Sequence, residues 1–132
     1  MNARARVLIV DDDRDTLTLY AFALSESGLL VDQATTGAEA LAAARANPPA
    51  VIVTDLTLPD VDGVDLCGKL RAAAGSGLSG LIVLSGTSDA AQHERARKAG
   101  ASEVLTKPCL PGDLEHVIRA ALSSAKFGGW RR

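Results

Sequence analysis

Short apolar runs rich in β-branched residues alternate along this chain with longer segments in which apolar residues recur at helical spacing. This rhythm is typical of βα repeats, in which consecutive strands run parallel and helices cover the sheet. Five repeats can be distinguished, with predicted strands over residues 7–10, 30–34, 50–54, 81–84 and 103–105. The sequence therefore predicts an α/β fold built on a five-stranded parallel sheet.

The segments between the predicted strands carry the start and stop signals of helices. We predict helices over residues 14–27, from a capping box at Thr36 to Pro48, over 63–73, over 88–98, and after Pro111. The strands at 7–10, 50–54 and 81–84 are apolar throughout, as expected where both faces of a sheet are covered. The strand at 30–34 is more polar, and we place it nearer an edge.

The size and charge of the chain narrow the class of protein. At 132 residues, nearly half of them apolar, the chain can bury one hydrophobic core without the help of disulfides or metal ions, so we expect a single domain. The net charge of −2 comes from interspersed acidic and basic residues, which argues against direct nucleic-acid binding. Cys67 and Cys109 lack zinc-ligand spacing, and no apolar stretch approaches membrane-spanning length. We expect a cytoplasmic protein with reduced thiols and no membrane partner.

Charged residues follow three of the predicted strands. Asp11 and Asp12 follow the first strand, Asp55 ends the third, and Lys107 follows the fifth. Ligands of open α/β sheets bind at the carboxyl ends of the strands, so we expect these side chains at one edge. Three converging carboxylates would repel one another strongly unless a cation sat among them. Oxygen ligands in an incomplete protein shell favour Mg²⁺, and Lys107 adds a positive charge suited to a phosphoryl oxygen.

Several short motifs occur in a fixed order along the chain, namely Val10-Asp11-Asp12, Asp55-Leu-Thr-Leu-Pro59, Gly63, Ser85-Gly86 and Lys107-Pro108. In order and spacing they resemble the response regulator receiver family of bacterial two-component systems. The resemblance covers residues 5–124, which we predict to form the receiver domain, and leaves 125–132 as a disordered tail or the start of a linker. It implies a flavodoxin-like (βα)5 fold with strand order 2-1-3-4-5 and helices on both faces.

The resemblance also implies a set of metal ligands. In this family pattern Asp12 is a ligand of Mg²⁺, and Asp11 acts mainly through water. Asp55 and the backbone carbonyl of Thr57 complete the protein ligands. These roles agree with the charge argument, which asks for a cation among the same carboxylates.

The roles in phosphoryl transfer are likewise implied by the resemblance. Asp55 is the phosphoacceptor, Lys107 bridges to it, and Ser85 carries the hydroxyl that moves to the phosphate after transfer. The Lys107-Pro108 peptide bond is expected to be cis, a form that is rare outside X-Pro bonds. A carboxylate can act as nucleophile toward phosphorus and give an aspartyl-phosphate. Taken by itself, Ser85 would be better explained by a simple capping role in the loop that follows its strand.

The phosphoryl donor is expected to be a separate protein. His93 and His116 fall within predicted helices away from the strand ends, and we assign them no role. By resemblance the donor is a histidine kinase or a histidine phosphotransfer protein. The resemblance further implies that the chain is a signalling module and not an enzyme. Such a module acts on a downstream target or output domain and can form a phosphorylation-dependent dimer.

Two rival functions remain open at this point. A phosphatase of the haloacid-dehalogenase type also forms an aspartyl-phosphate with Mg²⁺, but it requires a second aspartate two residues after the nucleophile, where this chain has Thr57. A receiver-like docking module that is never phosphorylated would not require the acidic set.

Receiver domains often place an aromatic residue three positions before the lysine, and Val104 stands there instead. An aromatic rotamer switch therefore cannot operate in this chain.

Overall fold

The computed structural model describes residues 4–128, with side chains through residue 124. Five parallel strands form one sheet in the order β2-β1-β3-β4-β5. The strands are β1 (Arg6–Val10), β2 (Leu30–Ala34), β3 (Val51–Asp55), β4 (Gly80–Ser85) and β5 (Glu103–Thr106). The predicted fold and strand order are confirmed, and the polar second strand lies at an edge as predicted.

In the described part of the chain, four α-helices connect the strands and a fifth follows β5, and together they cover both faces of the sheet. They are α1 (Arg14–Glu26), α2 (Gly37–Ala46), α3 (Gly63–Ala74), α4 (Ala90–Ala99) and α5 (Pro111–Gly128). α1 packs beside α5 on one face, and α2, α3 and α4 pack in that order on the other. This arrangement is the right-handed, doubly wound solution for strands that must be covered on both sides.

The central strands are apolar throughout because successive side chains point to opposite faces of a sheet. In β1, Leu8 and Val10 enter the core beneath α2 and α3, whereas Val7 and Ile9 enter the core beneath α1 and α5. All four side chains are at most 2% exposed. Helices therefore pack against both faces of the sheet, and this packing fixes the backbone at its carboxyl edge, where the functional side chains lie.

Several boundaries differ from the sequence prediction, and two of them are informative. The fourth helix begins at Ala90 instead of residue 88, because Asp89 is its N-cap and accepts hydrogen bonds from the backbone N–H groups of Ala91 and Gln92. α5 continues to Gly128, so part of the predicted tail over residues 125–132 is helical, and residues 129–132 lie outside the described part of the chain. Among residues 4–128, no helix combines the length and apolar character needed to cross a bilayer.

Candidate functional site

Three carboxylates meet at the carboxyl edge of the sheet. Asp11 directly follows β1, Asp12 is next in the chain, and Asp55 is the last residue of β3. One oxygen from each of the three lies within 4.8 Å of the others. Since β1 and β3 are neighbours in parallel register, their carboxyl ends deliver these side chains to one place. The structure thus brings together the three aspartates that the sequence placed at this edge.

The cluster is buried on its inner side and open on its outer side. Asp11 is 2% exposed and Asp55 is 7% exposed, whereas Asp12 faces solvent. The inner carboxylates are oriented by local backbone groups: Oδ1 of Asp11 accepts the N–H of Asp13 at 2.9 Å, and Oδ1 of Asp55 accepts the N–H of Thr57 at 3.1 Å. Each inner carboxylate therefore keeps Oδ2 for other partners.

Lys107 supplies the counter-charge of the cluster. Its Nζ lies 3.0 Å from Oδ2 of Asp11 and 3.0 Å from Oδ2 of Asp55, and its side chain is 26% exposed. Burial by itself lowers the pKa of this ammonium, but hydrogen bonds to Asp11 and Asp55 and their negative charges outweigh burial, so the pKa of Lys107 is raised. The lysine is therefore held protonated between two carboxylates.

The backbone around Lys107 fixes the position of its side chain. Its N–H donates to the carbonyl of Ser85 at 2.7 Å, which extends the β4–β5 ladder past the end of β5. The Lys107-Pro108 peptide bond is cis, as expected from the sequence. The main chain next to Lys107 is thus tied directly to Ser85.

The charge in the cluster is unbalanced. Three carboxylates share one ammonium within the described residues, which leaves an excess of negative charge at a partly buried edge. Carboxylate oxygens are hard ligands, and a small divalent cation that keeps several waters needs only a few of them. The donor set therefore fits Mg²⁺. The orientation of the Thr57 carbonyl toward such an ion stays a prediction.

The loop between β3 and α3, residues 56–62, is fixed by contacts with a different part of the chain. The Asp60 carboxylate accepts the N–H of Gly37 at 2.9 Å and the N–H of Ala38 at 3.0 Å, at the first turn of α2. A side chain at Gly63 would collide with the backbone of Leu56, so the close approach of loop and helix requires glycine there. Asp60 thus acts as a second cap for α2 and secures the loop that carries Thr57.

The loop between β4 and α4, residues 86–89, is held by contacts between residues that lie close together in the sequence. Ser85 is 1% exposed, and its hydroxyl accepts the N–H of Thr87 at 3.1 Å and donates to the carbonyl of Thr87 at 3.2 Å. Nε2 of His93, on α4, lies 2.8 Å from the same carbonyl. The sequence argument missed both His93 and Asp60, because no local pattern marks contacts between side chains and distant backbone.

A cleft of about 440 Å³ opens beside the cluster and is lined by Thr16, Leu19, Tyr20, Gly86, Lys107, Pro108 and Cys109. The Tyr20 hydroxyl donates to the carbonyl of Cys109, which joins α1 to the loop after β5. Three large apolar side chains on these two segments are exposed, namely Leu19, Phe22 and Leu110. Of these three, Leu19 lines the cleft itself, so the open surface beside Lys107 includes an exposed apolar side chain.

His116 lies elsewhere. It lines a second cleft, of about 470 Å³, with Ser79 and Ser102, which directly precede β4 and β5. This cleft is at the amino ends of those strands, the opposite edge of the sheet from the aspartates. The expectation that His116 stands away from the site agrees with this placement.

Comparison with known proteins gives consistent matches over nearly the whole chain. The response regulator receiver domain model matches residues 7–119. The transcriptional regulatory protein KdpE of Mycobacterium tuberculosis is 39% identical over 116 residues, which is 88% of this chain and 50% of that protein. The alkaline phosphatase synthesis transcriptional regulatory protein PhoP of Bacillus subtilis is 31% identical over 122 residues, again 50% of its length.

Solved structures give the same result for the fold. A CheY-like receiver domain protein from Methanospirillum hungatei superimposes with a TM-score of 0.88 at 29% identity, covering 94% of this chain and 98% of that one. The chemotaxis protein CheY4 of Vibrio cholerae superimposes with a TM-score of 0.84 at 26% identity, covering 90% and 99%. The chain spans about half the length of the first curated relatives that it matches.

Proposed function

This chain belongs to the response regulator receiver domain family, and on that premise we propose that it accepts a phosphoryl group from a phosphohistidine donor onto Asp55. The observation that carries the proposal is the position of Asp55 at the end of the central strand, beside two other carboxylates and an ammonium. A carboxylate in such a position can be a nucleophile toward phosphorus.

The transfer requires one bond to form and one to break. A carboxylate oxygen of Asp55 attacks phosphorus, the bond from phosphorus to the donor imidazole nitrogen breaks, and the electron pair leaves with the imidazole. Little covalent work is left for the protein, so it acts mainly by positioning and by neutralising charge. The hydrogen bond from Thr57 N–H to Oδ1 and the ion pair from Lys107 to Oδ2 orient the carboxylate before attack.

We propose Asp11, Asp12, Asp55 and the carbonyl of Thr57 as the residues that would hold Mg²⁺. Their carboxylate character and the excess negative charge support this assignment. When bound, the ion would neutralise charge on the phosphoryl oxygens as well as on the aspartates. Asp12, the exposed member of the set, stands where an ion entering from solvent would first meet a carboxylate.

Lys107 and Ser85 are proposed to respond to the new phosphoryl group. The ammonium of Lys107 already contacts Asp55, and its four-carbon stem lets it follow a phosphoryl oxygen attached there. The Ser85 hydroxyl lies at the end of β4, next to β3, and can donate to the phosphoryl group after leaving Thr87. Because Lys107 N–H is bonded to the Ser85 carbonyl, movement of either residue is transmitted to the other.

The donor is proposed to be a histidine kinase or a histidine phosphotransfer protein, which would meet this domain in the cytoplasm. We place its contact on the cleft beside Lys107, where Leu19 offers an exposed apolar side chain and Phe22 and Leu110 are exposed on the same two segments, α1 and the loop after β5. The phosphorylated state would be read by a downstream target or an output domain, as the names of the transcriptional relatives suggest. A dimer that depends on phosphorylation is one form this response can take.

The rival functions differ from this proposal in their chemistry. A phosphatase that hydrolyses small phosphoesters would require a carboxyl group two residues after Asp55 as its general acid, and Thr57 has none. A docking module without phosphorylation would leave the Lys107 ion pairs and the excess of carboxylates unexplained.

The test is phosphorylation by acetyl phosphate with Mg²⁺, followed by mapping of the acid-labile label by mass spectrometry. We expect one labelled site, at Asp55, and no label on Asp55→Asn. Asp65→Asn is the matched control, because Asp65 is an exposed aspartate on α3 outside the cluster and its loss should leave labelling unchanged. Label on the Asp55→Asn protein at another residue, or none on the wild type, would refute the assignment.

A further inference from the structure

We propose that His93 is a positioning residue that holds the loop of residues 86–89 in its resting arrangement and thereby opposes the shift of Ser85 toward a phosphorylated Asp55. This inference rests on the proposed function of Asp55 and deepens it. The starting point is a shared acceptor, since the carbonyl of Thr87 receives both the Ser85 hydroxyl and the His93 imidazole.

The first step concerns the Ser85 hydroxyl. A hydroxyl has one proton to donate, and here Ser85 gives it to the Thr87 carbonyl while accepting the Thr87 N–H. To donate to a phosphoryl oxygen on Asp55, Ser85 must abandon that carbonyl. The resting loop therefore competes directly with the phosphoryl group for the same proton.

The second step concerns what keeps the Thr87 carbonyl in place. A carbonyl can only accept, so Nε2 of His93 carries the proton in this contact, and its distance of 2.8 Å is shorter than the 3.2 Å of the Ser85 contact. His93 lies in the first turn of α4, where its own N–H donates to the carbonyl of Asp89 at 3.1 Å. The imidazole is thus anchored on the helix and reaches back across six residues to the loop.

The third step compares the remaining bonds of the loop. Asp89 N–H donates to Oγ1 of Thr87 at 3.1 Å, a contact that stays within the loop itself. Among the hydrogen bonds of the described residues, His93 supplies the one that joins Thr87 to a side chain of α4. Loss of the imidazole would leave Thr87 bonded only to Ser85 and Asp89, and the remaining bonds between the loop and α4 would be those of the cap residue Asp89.

The consequence is a bias in the conformational equilibrium of the domain. A side chain that stabilises only the resting arrangement lowers the apparent affinity for anything that binds the other arrangement. A neutral hydrogen bond of this kind changes such an equilibrium by about three- to tenfold. Through the Thr87 carbonyl, the same contact links α4 to Ser85 in a chain that has Val104, and no aromatic ring, on β5.

The experiment uses beryllofluoride with Mg²⁺ as a mimic of the phosphoryl group, with binding followed by amide chemical shifts. His93→Phe keeps a ring but removes the donor, and we expect it to bind the mimic about three- to tenfold more tightly than the wild type. His93→Gln keeps an N–H donor on a shorter reach and should restore affinity toward the wild-type value. Without the mimic, the Thr87 amide of His93→Phe should already be shifted toward its bound position.

The possible outcomes distinguish a failure of the role proposed for His93 from a failure of the proposed function on which that role rests. If the wild type fails to bind the mimic, or if Asp55→Asn binds it equally well, the proposed function is wrong and the role of His93 falls with it. If the wild type binds and His93→Phe binds with unchanged affinity, only the role of His93 is overturned. Equal behaviour of the Gln and Phe variants would also overturn it, since the donor would then be irrelevant.

Discussion

The two helices that follow the loops beside Asp55 are held very differently. α3 buries Gly63, Leu66, Cys67, Leu70 and Ala74, whereas α4, all of whose ten residues the structure describes, buries only Ala96. Both helices lie on the same face of the sheet and pack against each other. The difference therefore comes from their sequences: α3 carries leucines at helical spacing, and α4 carries charged and polar side chains at most positions.

The loops in front of these helices repeat the contrast. The loop before α3 is tied by Asp60 to the amides of Gly37 and Ala38, more than twenty residues away in the chain. The loop before α4 is held by bonds within residues 85–89, by His93, and by the cap bonds of Asp89 to the first turn of α4. One side of the site is therefore fixed through tertiary contacts, and the other through contacts that can rearrange locally.

This division suits the proposed function, in which the site binds a phosphoryl group and then reports its presence. The α3 side holds Asp55 and the loop of Thr57 in place, so the geometry for the proposed attack does not depend on a conformational change. The α4 side holds Ser85 through bonds that one new acceptor can replace. We infer that a response to phosphorylation would spread through α4 and β5, since these elements are lightly buried and β5 is an edge strand.

The largest test of this contrast is to remove one side chain from each helix, a buried leucine from α3 and an exposed arginine from α4. Leu66 is 0% exposed, so Leu66→Ala should lower the free energy of unfolding by about 2–5 kcal/mol through lost burial and the cavity left behind. Arg95→Ala on the exposed surface of α4 should change it by less than about 0.5 kcal/mol. Urea denaturation followed by circular dichroism measures both. Similar losses for the two variants would show that α4 is held as firmly as α3.

The sequence was sufficient to predict the sheet and the three aspartates at its carboxyl edge. The apolar strands at β1, β3 and β4 imply cover on both faces, and a parallel sheet necessarily delivers Asp11 and Asp55 to one edge. The resemblance to receiver domains added the strand order, which the structure confirms, and the roles of the motif residues, which stay predictions. Both arguments depend on features that are repeated or local in the chain, which is why they could be read without coordinates.

The side-chain contacts that hold the two loops could not be predicted in the same way. The pattern over residues 88–98 predicts a helix, but it gives no sign that Asp89 is the cap and that His93 reaches back to Thr87. The contact of Asp60 with α2 could not be predicted from the sequence either, because it depends on how α2 is placed beside the loop after β3. Such contacts arise from the relative positions of packed elements, which neither propensity nor periodicity determines.

The second test addresses the excess negative charge on the fixed side. Mg²⁺ should raise the melting temperature of the wild type, because an ion that binds only the folded cluster stabilises it by mass action, by about 2.7 kcal/mol at a hundredfold excess over its dissociation constant. Asp12→Ala removes a proposed ligand and one repelling charge. It should be at least as stable as the wild type in EDTA and lose the response to Mg²⁺.

Asp13→Ala is the matched control for this experiment. Asp13 is the N-cap of α1 and accepts the N–H of Asp15, so its loss should lower stability by about 1 kcal/mol with the Mg²⁺ response intact. Calorimetric melts in EDTA and in millimolar Mg²⁺ give both quantities. A wild type that melts at the same temperature in both buffers would contradict the metal site.

The smallest expected effect concerns the tether between Asp60 and α2. Hydrogen bonds from the backbone N–H of Gly37 and then of Ala38 lower the pKa of the Asp60 carboxyl below its usual value. A carboxyl whose pKa is lowered by folding contributes stability above its usual pKa and loses that contribution as the pH falls through the lower, folded value. The tether should therefore be intact at neutral pH and be lost in the acid range below about pH 4.

Asp60→Asn tests this directly, because an amide oxygen can still accept a hydrogen bond but carries no charge to complement the start of α2. We expect the variant to be slightly less stable than the wild type at pH 7 and equally stable once the wild-type carboxyl is protonated. In the wild type, the Gly37 amide resonance should titrate with Asp60 while the Thr87 amide does not follow it, since the two lie on opposite sides of the site. If Thr87 moved together with Gly37, the two loops would form one unit, and the distinction between a fixed side and a movable side would be lost.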